Sequence, residues 1–266
     1  TLYREAATRL AELASIQNGE SVLELACGTG VSTQAIAEVA PAKTEIVAQD
    51  FSLAQVQKAK SLGLSEYIEF RHSPDGRLEF KPDESFDVVL CSAAFWYLDI
   101  ERILAELVEH TSARSRLVFN ILAGLLPNRS KRFQPIPVSG VDDANTPGIL
   151  ETAVQIAKSE FGYTPESHDA LQKYDTSGFE SRLDSALQKV DFEITREEPG
   201  YHEQSFSEGV DWYRVPVLMG IYYPDLDYDI WCKSLDLAEQ AYEGLRLAST
   251  SMTWVNFVAR RKNGSI

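Results

Sequence analysis

Residues 22–30, which read VLELACGTG, constrain the fold of this chain more than any other stretch. An apolar run of strand length ends in Gly28 and Gly30, and a helical pattern over Val31–Val39 follows. A strand, a glycine loop and a helix in this order are typical of a parallel α/β sheet, where glycines let backbone approach a ligand. Glu24 is an acid inside the apolar run, so its burial needs a functional explanation.

Short apolar runs alternate with helical patterns throughout residues 21–122. This alternation predicts stacked strand–helix–strand units around a parallel sheet. Ser52 and Gln55 form a capping box at the start of one helix, so Asp50 is predicted to end the second strand. The predicted strands are 22–26, 44–49, 67–71, 86–91 and 116–122, followed later by strands near 192–196 and at 252–260.

Two segments interrupt this pattern. Residues 125–150 are rich in Pro, Gly, Asn and Ser, and residues 199–248 are dense in aromatic side chains. We expect both insertions to rise over the carboxyl ends of the strands as a cap that encloses an aromatic pocket. The expected organisation is a cofactor-binding part over 1–124, a cap insertion over 125–175, a return to the core sheet over 176–198, a second cap insertion over 199–248 and the last core strand over 249–266.

Charge and cysteine content exclude several classes of partner. The 266 residues carry a formal net charge of -15, which would repel the phosphate backbone of a nucleic acid. Cys27, Cys91 and Cys232 are too scattered for a disulfide framework or a zinc site, so we expect a cytoplasmic protein without a bound metal. No apolar run approaches the roughly 20 residues that span a bilayer, so no membrane partner is expected. The sequence does not predict the oligomeric state.

Polar residues follow each of the first four predicted strands. Asp50 lies about 20 residues beyond the glycine loop, where a carboxylate can accept hydrogen bonds from both hydroxyls of a ribose. Asp75 and Gly76 follow the third strand and could offer a carboxylate and a backbone N–H to the edge of an adenine. Ser92 follows the fourth strand. Because the carboxyl ends of parallel strands share one edge, these residues indicate a nucleoside-containing cofactor, either a dinucleotide or S-adenosylmethionine.

Two residues favour S-adenosylmethionine over a dinucleotide. Thr33 occupies the position where the full dinucleotide fingerprint has its third glycine. Glu24 would work against a pyrophosphate, whereas a buried acid can orient loop amides and water around the ammonium group of an amino-acid cofactor.

Four motifs taken together resemble those of class I S-adenosylmethionine-dependent methyltransferases: VLELACGTG, IVAQDFS, SPDGRLEF and SFDVVLCSAAFWYLD. The resemblance covers residues 20–122 well and the terminal strands more loosely. It implies an α/β, Rossmann-like three-layer sandwich with a mostly parallel seven-stranded sheet whose last strand is antiparallel. In the third motif the family commonly places its acid earlier, where this chain has Pro74. The implied cofactor contacts are Glu24, Ala26, Gly28, Gly30, Asp50, Phe51, Asp75, Gly76 and Ser92.

The resemblance also implies an activity, the transfer of a methyl group from S-adenosylmethionine, with S-adenosylhomocysteine as product. Because the two insertions would enclose an aromatic pocket, we expect the acceptor to be a small molecule, such as a specialised metabolite. The fourth strand lacks the N-P-P-Y-type motif that is used on the amines of nucleic-acid bases. His202 is the first candidate for a general base and His168 the second. Trp96, Tyr201 and Trp212 are the candidates for the substrate pocket. Two alternatives stay open: a cyclase or decarboxylase that uses the bound sulfonium as a fixed charge, and a non-catalytic cofactor-binding protein.

Overall fold

The computed structural model describes residues 2–130, 149–164, 178–214, 223, 225–243 and 249–262. Contacts within the chain divide it into two compact units. The first comprises Thr1–Gln134, Phe179–Gly200 and Thr253–Ile266, and the second comprises Pro135–Gly178 and Tyr201–Met252. The predicted insertions at 125–175 and 199–248 fall largely within the second unit. That they form a cap over the strand ends stays a prediction.

The strands form a seven-stranded sheet in the order β3-β2-β1-β4-β5-β7-β6. Neighbours from β3 to β5 pair in parallel, and β7 pairs antiparallel with β5. This topology confirms the predicted Rossmann-like fold with an antiparallel last strand. The strands are β1 (Ser21–Leu25), β2 (Glu45–Asp50), β3 (Ile68–His72), β4 (Phe86–Cys91), β5 (Thr111–Leu122), β6 (Phe192–Ser205) and β7 (Ser249–Arg261).

Helices cover both faces of the sheet. One buried apolar cluster joins α1 and α2 to one face, and a second joins α4 and α7 to the other. None of the described helices is long and apolar enough to cross a bilayer. The described helices are α1 (Leu2–Ala14), α2 (Val31–Val39), α3 (Leu53–Lys60), α4 (Ile100–Glu109), α5 (Pro127–Ser130), α6 (Ile149–Phe161), α7 (Phe179–Lys189), α8 (Phe206–Tyr213) and α9 (Tyr228–Glu243).

The order of the strands fixes where a ligand can bind. From β1 the chain proceeds outward through β2 to β3, and it then returns to form β4 on the other side of β1. The strand order therefore reverses between β1 and β4, and a crevice opens at the carboxyl ends of these two strands. Five of the predicted site residues lie in or shortly after these two strands: Glu24, Ala26, Gly28, Gly30 and Ser92.

The largest departures from the sequence pattern are in β5 and β6. β5 begins at Thr111 rather than at 116, because Thr111 already pairs with Phe86 of β4. A register shift separates this pair from the next one, Val88 and Arg116. β6 continues through Pro199 and Gly200 to Ser205. Proline normally ends a strand, but β6 lies at the edge of the sheet, where a missing N–H donor is tolerated.

The second unit has its own small core. Trp231 on α9 is buried, and the side chains around it come from α6, α8 and α9. The indole N–H of Trp231 donates a hydrogen bond to the carbonyl of Tyr213 at 2.8 Å, so its one polar group is satisfied. Part of the aromatic content of the predicted second insertion therefore serves to hold this unit together.

Candidate cofactor site

The loop between β1 and α2 contains three residues with a left-handed backbone conformation. Ala26, Gly28 and Gly30 all have left-handed φ angles, of 54°, 54° and 87°. The N–H of Cys27 donates to the carbonyl of Gln49 at 3.0 Å, and the N–H of Gly30 donates to the carbonyl of Cys27 at 3.0 Å. The loop is therefore tied to β2 and closed on itself.

The two glycines of this loop are needed for different reasons. A Cβ atom added at Gly28 would meet nothing within 4 Å, so open space lies on that side of the backbone. A Cβ atom at Gly30 would lie 3.0 Å from Cδ1 of Leu62 and 3.1 Å from Cβ of Ala59. Gly30 thus permits α2 to pack against the end of α3, whereas Gly28 leaves room for a ligand. That both glycines contact the cofactor stays a prediction, and packing is a further reason for a glycine at position 30.

Asp50 connects the glycine loop to the next helix. Its side chain is buried at the end of β2, where one carboxylate oxygen accepts a hydrogen bond from the N–H of Gly28 at 2.8 Å. The other oxygen accepts one from the N–H of Ser52 at 2.8 Å, and Ser52 is the N-cap of α3. A carboxylate can accept about four hydrogen bonds, so two backbone donors orient Asp50 and leave capacity for two ribose hydroxyls.

Glu24 is almost completely buried on the face of β1 that α2 covers. Its carboxylate accepts hydrogen bonds from the hydroxyls of Ser32 and Thr33, the latter at 2.6 Å. Burial raises the pKa of Glu24 to about 7, against the lowering effect of these two hydroxyls. The carboxyl group is therefore poised to lose its proton when a positive charge binds nearby. Sequence reasoning noted Thr33 only as a missing glycine and did not identify Ser32.

The turn after β3 is strained and exposed. Asp75 has a φ of 57° and the following Gly76 a φ of 66°, so two successive residues are left-handed. The side chain of Asp75 is exposed, and the N–H of Gly76 donates to the carbonyl of Ser73 at 3.3 Å. The turn lies one strand beyond Asp50, because β3 pairs with β2 at the edge of the sheet.

Two polar groups near the ends of β4 and β5 are buried without a hydrogen-bond partner in the part of the chain that the structure describes. They are the hydroxyl of Ser92 and the side-chain N–H₂ group of Asn120. The amide oxygen of Asn120 accepts a hydrogen bond from the N–H of Ala93 at 2.6 Å, and Ala93 has a left-handed φ of 54°. This bond fixes the orientation of the amide, so its two N–H donors are left for another acceptor. Sequence reasoning did not identify Asn120.

The remaining predicted residues have varied positions. Phe51 is 57% exposed beside the end of β2, and Trp96 is partly buried with its ring 5.1 Å from that of Tyr97. Tyr201 is exposed and His202 partly buried on β6. Trp212 belongs to α8, but its side chain lies outside the described part of the structure, and His168 lies outside the described residues altogether. The roles of these residues stay predictions.

Thiol and metal chemistry find little support in the described residues. Burial raises the pKa of the Cys27 thiol and that of the Cys91 thiol, so both are protonated at neutral pH and neither is an activated nucleophile. Among the residues that the structure describes, no group of three or more His, Cys, Asp or Glu could hold a metal ion.

The geometry fits an amino acid joined to a nucleoside. The first N–H groups of α2 have no acceptor within the helix, and no side chain caps them, so they can bind a carboxylate. Glu24 lies beneath them, and Asp50 keeps acceptor capacity beside the loop. That these two carboxylates meet an ammonium group and a ribose stays a prediction. Backbone donors and two buried carboxylates thus lie together at the reversal of strand order.

Comparisons with known proteins agree with this assignment. Residues 22–113 match a family model described as a methyltransferase domain. The structure of YcgJ from Bacillus subtilis is 14% identical over 98% of this chain and 99% of its own, with a TM-score of 0.55. An S-adenosylmethionine-dependent methyltransferase from Thiobacillus denitrificans, solved with S-adenosylhomocysteine, is 14% identical over 97% of this chain and 91% of its own, with a TM-score of 0.52.

A third similar structure is a cyclase, SpnF, which is 16% identical over 98% of this chain and 82% of its own, with a TM-score of 0.53. At these identities, likeness to the solved structures shows the fold alone, and the domain match identifies the kind of domain. The search of curated protein sequences found no match.

Proposed function

Since residues 22–113 match the methyltransferase-domain family, we propose that this chain transfers a methyl group to a small-molecule acceptor. Its cofactor is S-adenosylmethionine, and S-adenosylhomocysteine is the product that transfer leaves. One observation carries the proposal: two buried carboxylates lie at the loop that contains Gly28. Asp50 accepts a hydrogen bond from the N–H of Gly28, and Glu24 lies beneath the start of α2, where it accepts hydrogen bonds from Ser32 and Thr33. A methyl sulfonium supplies the chemical activation, so the protein mainly positions the two reactants.

The cofactor roles follow from what each residue presents. Asp50 accepts the ribose hydroxyls, and Glu24 balances the ammonium group through Ser32 and Thr33. Ala26 and Gly28 contribute backbone of the glycine loop, and Phe51 offers an exposed ring beside Asp50.

We assign the other parts of the cofactor to the ends of β3 and β4: the adenine to β3 and the methyl-bearing sulfonium to β4. Asp75 and Gly76 meet the edge of the adenine. Ser92, whose buried hydroxyl has no partner among the described residues, faces the cofactor at the end of β4. An unsatisfied buried hydroxyl costs about 1–3 kcal/mol, which a ligand oxygen or nitrogen would recover.

A small-molecule acceptor is supported by charge. The net charge of -15 opposes binding of polyphosphates such as DNA and RNA. His202 is the proposed base if the acceptor must lose a proton, with His168 second. We propose that the substrate pocket is lined by Trp96, Tyr201 and Trp212. Aromatic rings suit this place because their π faces also tolerate the cationic sulfonium of the cofactor.

The proposal is tested by following a labelled methyl group. The purified chain is incubated with methyl-labelled S-adenosylmethionine and a metabolite extract, and the small-molecule, protein and nucleic-acid fractions are counted separately. Label in the small-molecule fraction, lost in the Asp50→Ala variant, is the expected result. Label only in protein or nucleic acid would overturn the assignment of the acceptor.

A second function is kept because the cyclase SpnF shares this fold. In that case the bound sulfonium would act as a fixed charge in a cyclisation or decarboxylation. The same experiment separates the two functions. Tight binding of S-adenosylmethionine without transfer of label, across broad panels of metabolites, would favour the second function or a non-catalytic binding protein.

A further inference from the structure

We propose that Arg102 on α4 is a positioning residue that holds the Asp75–Gly76 turn in the conformation that selects adenine over other bases. The inference rests on the assignment of Asp75 and Gly76 to the adenine edge in the proposed function. It extends that assignment to a side chain on a different element, 26 residues further along the chain from Gly76.

The turn needs an external support because its own conformation is unfavourable. Asp75 is left-handed at φ 57° and ψ 18°, a region that Asp adopts more readily than most residues with a Cβ atom but less readily than glycine. The hydrogen bonds within the turn, Gly76 N–H to Ser73 at 3.3 Å and Arg77 N–H to Pro74 at 3.2 Å, are both long. These local bonds alone are weak restraints on where the Asp75 carboxylate lies.

Arg102 supplies the support through the backbone of the turn. One terminal nitrogen of its guanidinium donates to the carbonyl of Gly76 at 2.9 Å, and the other lies 3.4 Å from the carbonyl of Asp75. The guanidinium therefore makes one short hydrogen bond to the turn and a longer contact to the preceding carbonyl, and the single ammonium of a lysine cannot match this pair in the same geometry. Its remaining nitrogen, Nε, is buried without a hydrogen-bond partner among the described residues and lies 3.7 Å from a carboxylate oxygen of Asp99.

A second pair of contacts holds the chain directly after the turn. Glu106, one helical turn beyond Arg102 on α4, accepts a hydrogen bond from the N–H of Leu78 at 2.9 Å. Gln49, next to Asp50 on β2, exchanges two hydrogen bonds of 2.8 Å with the backbone of Glu79. The segment that carries Asp75 is therefore fixed from α4 on one side and from the ribose-binding strand on the other.

The glycine at position 76 agrees with this role. A Cβ atom there would lie 3.2 Å from the terminal nitrogen of Arg102, and the φ of 66° would be strained for any other residue. Gly76 thus lets the guanidinium approach the turn closely. The glycine and the buried Nε together indicate a specific contact between α4 and the turn. An ordinary ion pair at the surface would need neither of them.

Base selectivity tests the proposal. Binding of S-adenosylhomocysteine and of S-inosylhomocysteine, in which an oxo group replaces the adenine amino group, is measured by calorimetry for the full chain and for Arg102→Met. The wild-type chain should prefer the adenine compound. In Arg102→Met, affinity for S-adenosylhomocysteine should fall at least about tenfold, and the preference for adenine should shrink toward one. Arg102→Lys should restore only part of that preference.

Arg77→Met is the matched control, because it removes a positive charge beside the same turn and Arg77 is exposed. Its affinity for both compounds should stay within about twofold of wild type. An Arg102→Met variant that loses affinity for both compounds equally, or for neither, would overturn the positioning role. So would a wild-type chain without base preference. Absence of methyl transfer in a chain that still selects adenine would count against the proposed function and leave this inference intact.

Discussion

The two sides of the switch-point crevice differ in how their polar groups are satisfied. At the ends of β1 and β2, Asp50 and Glu24 each accept two hydrogen bonds from the protein itself. Near the ends of β4 and β5, Ser92 and Asn120 keep buried polar atoms that have no hydrogen-bond partner among the described residues. The β1–β2 end is preorganised by internal hydrogen bonds, whereas the β4–β5 end is left with unused hydrogen-bonding capacity.

This difference teaches which polar groups of the crevice are satisfied before a ligand binds and which can be satisfied only by a ligand. Preorganised acceptors lower the cost of binding the cofactor, because little reorders when it arrives. Buried hydrogen-bond donors without a partner destabilise the free protein, so they need an explanation such as a ligand that accepts their hydrogen bonds. We therefore expect changes at Asp50 or Glu24 to alter both stability and cofactor affinity, and changes at Ser92 to leave stability intact.

The largest expected effect is that of Asp50→Ala. The change removes the acceptor of two backbone N–H groups, so we expect the free energy of unfolding to fall by about 3 kcal/mol. Loss of the ribose contact should weaken binding of S-adenosylhomocysteine at least about tenfold. Urea unfolding and calorimetry measure the two quantities. Unchanged affinity in a folded variant would refute the ribose assignment.

Because Glu24 is buried, we expect it to make the folded protein less stable as pH rises. Its pKa is about 7 in the folded protein against an ordinary value of 4.5. Because the folded state holds the proton more tightly, stability falls as pH rises from about 4.5 to 7 and then levels off. We expect this carboxyl to contribute a loss of about 2 kcal/mol between pH 5 and 7.

Glu24→Gln isolates that contribution, since other titrating groups are common to both proteins. Unfolding in urea at pH 5, 6 and 7 should show a shallower decline for the variant than for wild type. Parallel declines would mean that Glu24 titrates as it does in the unfolded chain. Binding of S-adenosylhomocysteine near pH 6.5 should also release protons in wild type more than in the variant, because its ammonium favours the ionised carboxylate.

Gly28 and Gly30 offer a comparison within one loop. Both are left-handed, so alanine at either position should cost roughly 1 kcal/mol of stability. Gly30→Ala adds overlap with Leu62 and Ala59, for a further loss of about 1 kcal/mol or more. Gly28→Ala should reduce cofactor affinity more, since its Cβ would enter the open space. Equal losses of stability in the two variants would contradict the packing role of Gly30.

The fold could be predicted from the sequence because its signals are local. Apolar runs, the glycine loop and the capping box at Ser52 each lie within a few residues, and the sheet that they predict is the one observed. The ends of β5 and β6 could not be predicted in the same way. β6 passes through Pro199 only because its position at the edge of the sheet, set by tertiary pairing, tolerates that residue.

The site was predictable only where side chains follow a motif. Glu24 and Asp50 are buried at the strand ends where the pattern places them. Asn120 and Arg102 escaped prediction because their partners lie 27 and 26 residues away in sequence. A lone Asn in a strand and a lone Arg on a helix have no local signature. Their roles arise from contacts that form only when β4, β5 and α4 are assembled.

The smallest expected effect, Ser92→Ala, is the most direct test of the comparison between the two sides. The Ser92 hydroxyl is buried and has no partner in the described residues, so its removal breaks no described hydrogen bond. The free energy of unfolding should therefore stay within about 0.5 kcal/mol of wild type or rise slightly, in contrast to Asp50→Ala. Cofactor affinity should fall by a few-fold, since the assigned contact is one neutral hydrogen bond worth about 1 kcal/mol. A loss of stability approaching that of Asp50→Ala would show that this hydroxyl is satisfied within the folded protein. The two ends of the crevice would then be alike, and the Ser92 hydroxyl would have no unused hydrogen-bonding capacity to offer the cofactor.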